Sequence, residues 1–299
     1  MTRFQTSWEI AKRSWAVLKS DKSLAWFPVL SFIASLVVFG AFAGLVALVG
    51  VDSEGTKDAL QPVGWVLIAL GYLALAFVQT YFLAGLVAGA DQRLHGGDSS
   101  VRGALDVANS RLHRLLPWAL VSATVTIILN QLERQGIIGQ IVASLVGLAW
   151  SLVTFLTIPI LVIEDIGVGA ALKRSKDLFK KTWGENVVGQ AGLGIIGFLA
   201  MLPGFLVIGI GVATGSVVIT VVIGAVGVAW IIVASTVVAA LSGIYRTALY
   251  RFASTGVIPQ DFSGIDFQGA FRPRRINPRG MFGGGNGGGT GGINPNSGE

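Results

Sequence analysis

The chain contains no cysteine. This absence excludes disulfide bonds, thiolate metal sites and cysteine nucleophiles, and it leaves the compartment open. Histidine is scarce as well: His95 and His113 lie far apart in the sequence, whereas a helical zinc pair needs a spacing of about three or four residues. No serine–histidine or paired-carboxylate arrangement stands out. We therefore expect no catalytic residues, no metal, no cofactor and no enzymatic activity.

Charged side chains are also few. They make up 13% of the 299 residues, hydrophobic residues make up 53%, and the mean hydropathy is +0.70. A soluble domain carries about 25% charged residues, so this composition indicates an integral membrane protein. The pI near 9.8 would ordinarily suggest nucleic acid as a partner. Because the basic residues are spread beside hydrophobic runs, we expect no nucleic-acid partner and instead anionic headgroups of the lipid bilayer.

Long stretches without any charge define the membrane spans. They are Ser23–Val51, Ala59–Ala90, Leu115–Leu132, Gln135–Ile163 and Asn186–Tyr245. About 20 apolar residues cross the hydrocarbon, so each of the first four stretches holds one span. As one helix the fifth would be about 90 Å long, so it must turn back. Small and polar residues interrupt the apolar run at 211–216, and we expect the turn there. The sequence predicts an all-α polytopic integral membrane fold with six transmembrane helices.

The basic residues are sorted to one side of these spans. If six helices cross the bilayer, every Lys and Arg except Lys57 and Arg134 lies on the same face. Positive charge next to membrane-spanning ends stays in the cytoplasm. We therefore expect a multi-pass plasma-membrane protein whose N- and C-termini are both cytoplasmic. An Ala41-Phe42-Ala43 triplet mimics a signal-peptide cleavage site, but the apolar region before it is too long for a signal core.

A segment with helical spacing of apolar residues precedes each pair of spans. The apolar positions alternate in steps of four and three, which places them on one helical face opposite Lys and Arg. Such helices either lie in the membrane plane as amphipathic interfacial helices or pack on the bundle, and the sequence leaves both open. The positions are Phe4, Trp8, Ala11, Trp15 and Leu18; Val101, Leu105, Ala108, Leu112 and Leu115; and Val168, Leu172, Ser175 and Phe179.

Polar residues inside the spans are the candidate contacts for a substrate or a neighbouring helix. The candidates are Gln79, Asn130, Gln131 and Gln190, of which Gln79 is the deepest. The simplest role for Gln79 is an interhelical hydrogen bond, worth roughly 0.6 to 2 kcal/mol, and the alternative is a substrate contact. The spans contain no ionisable group, which disfavours a proton or ion pathway.

The chain divides into three parts by composition. Residues 1–251 form the six-span membrane domain, residues 252–279 a basic cytoplasmic segment, and residues 280–299 a glycine-rich tail. The tail has almost no large apolar side chain to bury, so we expect it to be disordered.

Several short motifs resemble a known family. These are Arg3-Phe4, Ser7-Trp8, Ser14-Trp15, Asp21-Lys22 and Phe27-Pro28, followed by Ala171-Leu172-Lys173-Arg174-Ser175 and Thr182-Trp183-Gly184-Glu185. They are similar to motifs of a family of uncharacterised six-span prokaryotic membrane proteins, catalogued as a domain of unknown function. The layout is more loosely similar to the membrane domain that accompanies some glycerophosphodiester phosphodiesterases. The resemblance implies a topology and no activity, because no such catalytic domain is present.

Two functions fit the sequence. The first is a non-enzymatic membrane module that engages anionic lipid or a partner protein through the basic helices. The alternative is a transporter of a neutral or amphiphilic solute. A cavity around Gln79 would favour transport, and a tightly packed core would favour the module. The sequence gives no indication of the oligomeric state.

Overall fold

The structure, a computed structural model, describes residues 3–49, 62–183 and 191–264. These residues form helices, and no strand occurs among them. Lys57, Asn186, Gln190 and the tail 280–299 lie outside the described residues, as does most of the basic segment 252–279. The helices are α1 (Arg3–Ser20), α2 (Trp26–Val49), α3 (Pro62–Leu94), α4 (Val101–Ser110), α5 (Leu112–Glu133), α6 (Gly136–Thr154), α7 (Thr157–Ile163), α8 (Val168–Trp183), α9 (Ala191–Ala213) and α10 (Val217–Thr255), with 3₁₀ turns at Lys22–Ala25 and Gln260–Phe262.

Five helical segments in the described ranges are long and apolar enough to cross a membrane. They are Lys22–Val49, Pro62–Leu94, Leu112–Glu133, Gly136–Ile163 and Val217–Thr255. The all-helical fold is thus confirmed together with five candidate spans. The fully described part of α9, Gly197–Ala213, is shorter than a full span, so the sixth crossing stays a prediction.

The reversal predicted at residues 211–216 is confirmed. α9 ends at Ala213 and α10 begins at Val217. Gly215 adopts a left-handed backbone with φ of 68°, and the Thr214 hydroxyl donates to the carbonyl of Gly211 over 2.7 Å. Glycine tolerates this backbone without steric cost, which explains why the apolar run turns here.

The fourth predicted span is broken near its end by Pro159. Proline lacks the N–H that would bond to the carbonyl of Phe155 four residues earlier, and its ring crowds that carbonyl. α6 therefore ends at Thr154, and α7 restarts at Thr157. The backbone N–H of Leu156, freed at the break, donates to the hydroxyl of Ser175 on α8 over 3.3 Å. Ser175 thus provides the hydrogen-bond acceptor that the backbone lacks at the break.

The three segments that precede the spans form α1, α4 and α8, and each packs against the bundle. α1 buries Ile10, Ala11, Ser14, Val17 and Leu18, whereas Trp8 and Trp15 are 48% and 42% exposed. The buried face therefore shares Ala11 and Leu18 with the predicted stripe but leaves both tryptophans at its edge.

α4 is shorter than the predicted second segment. It stops at Ser110, and α5 starts at once, at Leu112 rather than Leu115. The N-cap of α4 is Ser100, whose hydroxyl accepts from the N–H of Gly103 over 3.0 Å. Ser99 is occupied elsewhere, because it bonds to Asp21.

The fully buried side chains gather at one end of the bundle. This basic end comprises α1, the 3₁₀ turn Lys22–Ala25, α4, α7, α8, the first turns of α5 and the last turns of α3 and α10. Leu24, Leu115, Leu161 and Leu249 are completely buried there. At the opposite end, where α5 meets α6 and α9 meets α10, large apolar side chains point outward. Ile138 and Val217 there are each 78% exposed. The core therefore sits beside the charged helices.

Candidate functional site

A partly open pocket of about 540 Å³ lies between α2, α3, α5 and α10 and reaches the break between α6 and α7. Its size falls within the range of small-molecule sites. Hydroxyl, amide and guanidinium groups come from half of the lining residues, and the other half are apolar. These polar residues are Ser31, Ser35, Gln79, Thr80, Ser122, Thr154, Ser235, Thr236, Ser242 and Arg246.

Gln79 links two helices at the edge of the pocket. Its Oε1 accepts from the hydroxyl of Ser31 over 3.2 Å, and its Nε2 donates to the hydroxyl of Ser35 over 3.0 Å. Ser31 and Ser35 are four residues apart on α2, which places them on the same face. The side chain of Gln79 is nevertheless exposed. It therefore both holds α3 to α2 and presents polar atoms to the pocket.

Several hydroxyls in the wall are turned toward their own helices. Thr154 donates to the carbonyl of Trp150 over 2.8 Å, and Thr236 donates to that of Ile232 over 2.8 Å. Ser235 also donates to the carbonyl of Ile232, over 2.9 Å. A hydroxyl that donates its proton in this way keeps its lone pairs. These residues therefore offer hydrogen-bond acceptors to the pocket.

Arg246 brings a positive charge to the pocket from α10. It is partly buried, and its guanidinium carbon lies 5.2 Å from the centre of the Phe155 ring. Within the described part of the chain, no carboxylate lies within salt-bridge distance of it. A cation over an aromatic face is stabilised electrostatically, but the ring accepts none of the strong hydrogen bonds that a guanidinium can donate.

Aromatic side chains form the apolar wall. Phe27 and Trp118 are almost fully buried, and the indole of Trp118 stacks on that of Trp150 with ring centres 6.0 Å apart. Gly85 on α3 makes room for Phe27, since a Cβ at Gly85 would lie 2.7 Å from the phenyl ring. Small residues of α3 thus let α2 approach closely and fix one side of the pocket.

Ion pairs lock the helices just beyond the pocket at the basic end. Asp165 pairs with Arg111 over 2.8 Å and with Arg114 over 3.3 Å. Asp165 itself has a left-handed backbone, with φ of 52°, which turns its carboxylate back toward α5. Arg251 on α10 forms a two-pronged pair with Asp91 on α3. Such bidentate pairs fix geometry as well as adding energy.

Glu164 joins three elements at the same end. Its Oε1 accepts from the Nε of Arg174 on α8 over 3.2 Å and from the hydroxyl of Tyr250 on α10 over 2.9 Å. Together with Asp165, it anchors the short connection after α7 to the helices around it.

Asp21 connects the start of the first candidate span to the loop before α4. Its carboxylate accepts from the backbone N–H of Ser23 over 3.0 Å, from that of Ser99 over 3.2 Å, and from the Ser99 hydroxyl. Burial of the carboxylate by itself raises its pKa, but the hydrogen bonds from Ser23 and Ser99 together outweigh it, so the pKa of Asp21 lies below its usual value.

The four predicted contact residues do not come together. Gln79 lies in the pocket. Asn130 and Gln131 are exposed at the far end of α5, away from the pocket, and Gln190 falls outside the described residues. His95 and His113 each lie beside a carboxylate, that of Asp91 or Asp165, and no group of three metal-binding side chains occurs in the described ranges.

Sequence reasoning missed the contribution of α10. Arg246 was counted only as a charge that follows the last apolar run. Ser235, Ala239, Ser242 and Arg246 are spaced four, three and four residues apart, and all four line the pocket. A polar stripe at this helical spacing inside an otherwise apolar helix was the signal that could have identified the site.

The fold and the pocket define an all-helical protein with five candidate membrane-spanning helices and a polar pocket among them. The chain belongs to a family of unknown function, DUF6159, which matches residues 62–259. This range contains α3 to α10 and the motif Ala171–Ser175, whereas α1, α2 and the motifs from Arg3 to Pro28 precede it. No curated protein and no solved structure matches the chain.

Proposed function

We propose that this protein crosses the plasma membrane six times, with both termini and the basic end in the cytoplasm. The distribution of Lys and Arg supports this orientation. α9 is 23 residues long, enough for one crossing, and is antiparallel to α10. The two backbones meet closely, since a Cβ at Gly204 would lie 2.8 Å from the carbonyl oxygen of Gly227. A helix that packs this way along a membrane span crosses with it.

We further propose that the protein binds a neutral or amphiphilic solute in the pocket and acts as a carrier for it. The observation that carries this proposal is the pocket around Gln79. Its lining pairs an apolar wall, including Phe27 and Trp118, with hydroxyl and amide groups. Sites of this kind bind molecules that have an apolar body and a few polar groups.

The chemistry of the lining supports a binding role rather than catalysis. Among the described residues, its side chains include serine and threonine hydroxyls, one amide and one guanidinium, but neither a carboxylate nor a histidine. A hydroxyl nucleophile needs an adjacent general base to be activated. The proposal is therefore a non-enzymatic one.

A lipid-engaging module remains the second candidate, because one observation favours it. The lysines Lys173, Lys176 and Lys181 on α8 are exposed. On α1 the ammonium groups of Lys12 and Lys19 lie 6.0 and 5.8 Å from the rings of the exposed Trp8 and Trp15. Basic and aromatic side chains together suit the headgroup region of a membrane. In this arrangement α1 and α8 would touch anionic lipid while they pack on the bundle.

Filling the pocket tests the carrier proposal. Ser122→Phe places a ring in the pocket, and the matched control Ser151→Phe places one on α6, outside the pocket lining. The full-length protein in mild detergent is titrated with lysophosphatidylcholine, and bound lipid is counted by native mass spectrometry. We expect the wild type and Ser151→Phe to retain the lysolipid and Ser122→Phe to lose it. Retention by a folded Ser122→Phe variant would contradict the proposal.

A further inference from the structure

Arg246 differs from the arginines around it in what it contacts. Arg111 and Arg114 pair with Asp165, Arg174 pairs with Glu164, and Arg251 pairs with Asp91. Where an arginine joins two helices at this end of the bundle, the chain supplies a carboxylate for it. Arg246 has the ring of Phe155 instead, and the described residues give it no ion pair and no hydrogen bond.

The position of Arg246 makes this lack of a partner informative. It lines a pocket and is partly buried, so water does not fully replace a carboxylate. A charge removed from water without a partner is costly. An ionisable side chain inside a membrane bundle therefore indicates a functional site whose counter-charge has to be found.

The rest of the lining shows where the remainder of a ligand would lie. Ser242 and Ser235 precede Arg246 on the same face of α10, and Ser235 is roughly 16 Å along the helix axis from Arg246 by the rise per residue. Phe27 and Trp118 provide apolar surface within the same pocket. The pocket thus has a positive charge at Arg246, and the rest of its wall combines polar and apolar side chains.

We propose that the pocket binds an anionic amphiphile, whose phosphate or carboxylate pairs with the guanidinium of Arg246. The apolar part of the ligand lies against the aromatic wall, and hydroxyl or glycerol groups of the ligand donate to Ser235 and Thr236. This inference rests on the carrier proposal, and of the two solute classes named there it keeps the amphiphile and makes it anionic. Guanidinium groups bind phosphate and carboxylate through paired hydrogen bonds. The contact with the Phe155 ring leaves the N–H donors of Arg246 available for such bonds.

The test compares two lysolipids that share the same phosphate, one with a glycerol headgroup and a net negative charge and one with a choline headgroup and no net charge. Full-length protein in mild detergent is titrated with lysophosphatidylglycerol and with lysophosphatidylcholine of the same chain length, and native mass spectrometry gives the ratio of their affinities. We expect the wild type to prefer the anionic lysolipid by about tenfold, the size of one charged hydrogen-bonding contact. Arg246→Gln should bring the ratio close to one by weakening lysophosphatidylglycerol more than lysophosphatidylcholine, whose phosphate is already balanced by its own trimethylammonium group.

Three variants control for other sources of the preference. Arg102→Gln and Lys176→Gln remove an exposed charge from α4 and α8, and both should keep the tenfold ratio. Arg246→Lys keeps the charge without the fork of donors and should retain part of the preference. If Arg246→Gln does not fold, the ratio for Arg246→Lys decides: a ratio equal to that of the wild type contradicts pairing by the guanidinium fork.

The remaining outcomes distinguish a failure of the role of Arg246 from a failure of the carrier proposal. A folded Arg246→Gln protein that keeps the preference, or a wild type without one, overturns the role of Arg246 while the carrier proposal stands. Retention of both lysolipids by Ser122→Phe overturns the carrier proposal itself. Displacement of lysophosphatidylglycerol by millimolar inorganic phosphate would assign the site to a free anion and overturn the amphiphile. A loss of preference in Lys176→Gln would place the anionic lipid on α8 instead.

Discussion

The two ends of the helical bundle are held together in different ways. At the basic end, side chains such as Leu24 and Leu249 are completely buried, and ion pairs join α3 to α10 and α5 to the loop after α7. At the opposite end, Leu48, Ile138 and Val217 are 78% to 83% exposed. Apolar side chains exposed to water on this scale would be costly. A surrounding lipid phase removes that cost, so only the basic end has to build its own core.

Glycines show the same contrast at the level of single residues. At the basic end, a Cβ on Gly85 or Gly89 would come within 2.9 Å of a side chain of the first candidate span. On the outer half of α2, a Cβ on Gly40 or Gly44 would meet no atom of another described element within 4 Å. Glycines four apart permit close helix approach, and here one pair makes use of it while the other faces open space.

The largest expected effect concerns which end faces the cytoplasm. Reporter fusions after residues 134 and 214 should read as extracytoplasmic, and fusions after residues 97 and 176 as cytoplasmic, because the basic residues remain inside. The readout is all or none. An extracytoplasmic signal at residue 97 would reverse the assignment of the two ends, and equal signals at 134 and 176 would contradict the single crossing between them.

A glycine exchange tests whether packing is confined to the basic end. Gly85→Leu forces a side chain against Phe27 and should destabilise the protein by about 1–3 kcal/mol, the usual cost of overpacking. Gly44→Leu is the matched control, since it adds the same side chain on a helix where space is open. Thermal unfolding in detergent should show a clear drop for Gly85→Leu and none for Gly44→Leu. Equal losses would mean that the outer half is packed as well.

A smaller effect is expected from acid at the basic end. The pKa of Asp21 is lowered in the folded protein, so its stabilising effect is present above the unfolded pKa of about 3.9 and is lost as the pH falls through the folded value. Asp21→Asn should therefore be less stable than the wild type at neutral pH. This difference should shrink as the pH falls below about 4.

The control for this titration is Asp177→Asn. Asp177 is exposed on α8 and forms no ion pair within the described residues. Thermal midpoints measured against pH should be the same for Asp177→Asn and the wild type. A gap between Asp21→Asn and the wild type that stays constant down to low pH would show that the hydrogen bonds to Ser23 and Ser99 do not depend on the charge.

The sequence predicted the elements of this fold better than the site between them. Charge-free runs located the candidate spans, and the hairpin before Val217 follows from small and polar residues that interrupt an apolar run. The break at Phe155 was missed, although Pro159 was visible, because proline is tolerated inside membrane helices. Whether it breaks one depends on a partner such as Ser175, which the sequence does not place nearby.

The pocket could not be predicted from any single helix. Gln79 was found because it is polar and deep in a span. Its neighbours Ser31 and Ser35 come from α2, Ser122 from α5 and Arg246 from α10, and only tertiary packing brings these residues together. Conversely, Asn130 and Gln131 are as polar as Gln79, but α5 carries them to the far end. The sequence shows how far a residue lies from the ends of its span, but it does not show which residues of other helices it contacts.

The central proposal is that the pocket among the spans binds a ligand that enters from the basic end, and the absence of native cysteine allows this to be tested with single thiols. Ser242→Cys introduces a thiol in the pocket, and Ser151→Cys introduces one on α6 outside it. Both are treated with a membrane-impermeant methanethiosulfonate reagent, which reacts with the ionised thiol in water, in inverted vesicles. We predict rapid modification of Ser242→Cys, slowed by lysophosphatidylglycerol, and little modification of Ser151→Cys. Equal rates at the two positions, or an unreactive Ser242→Cys, would contradict the account.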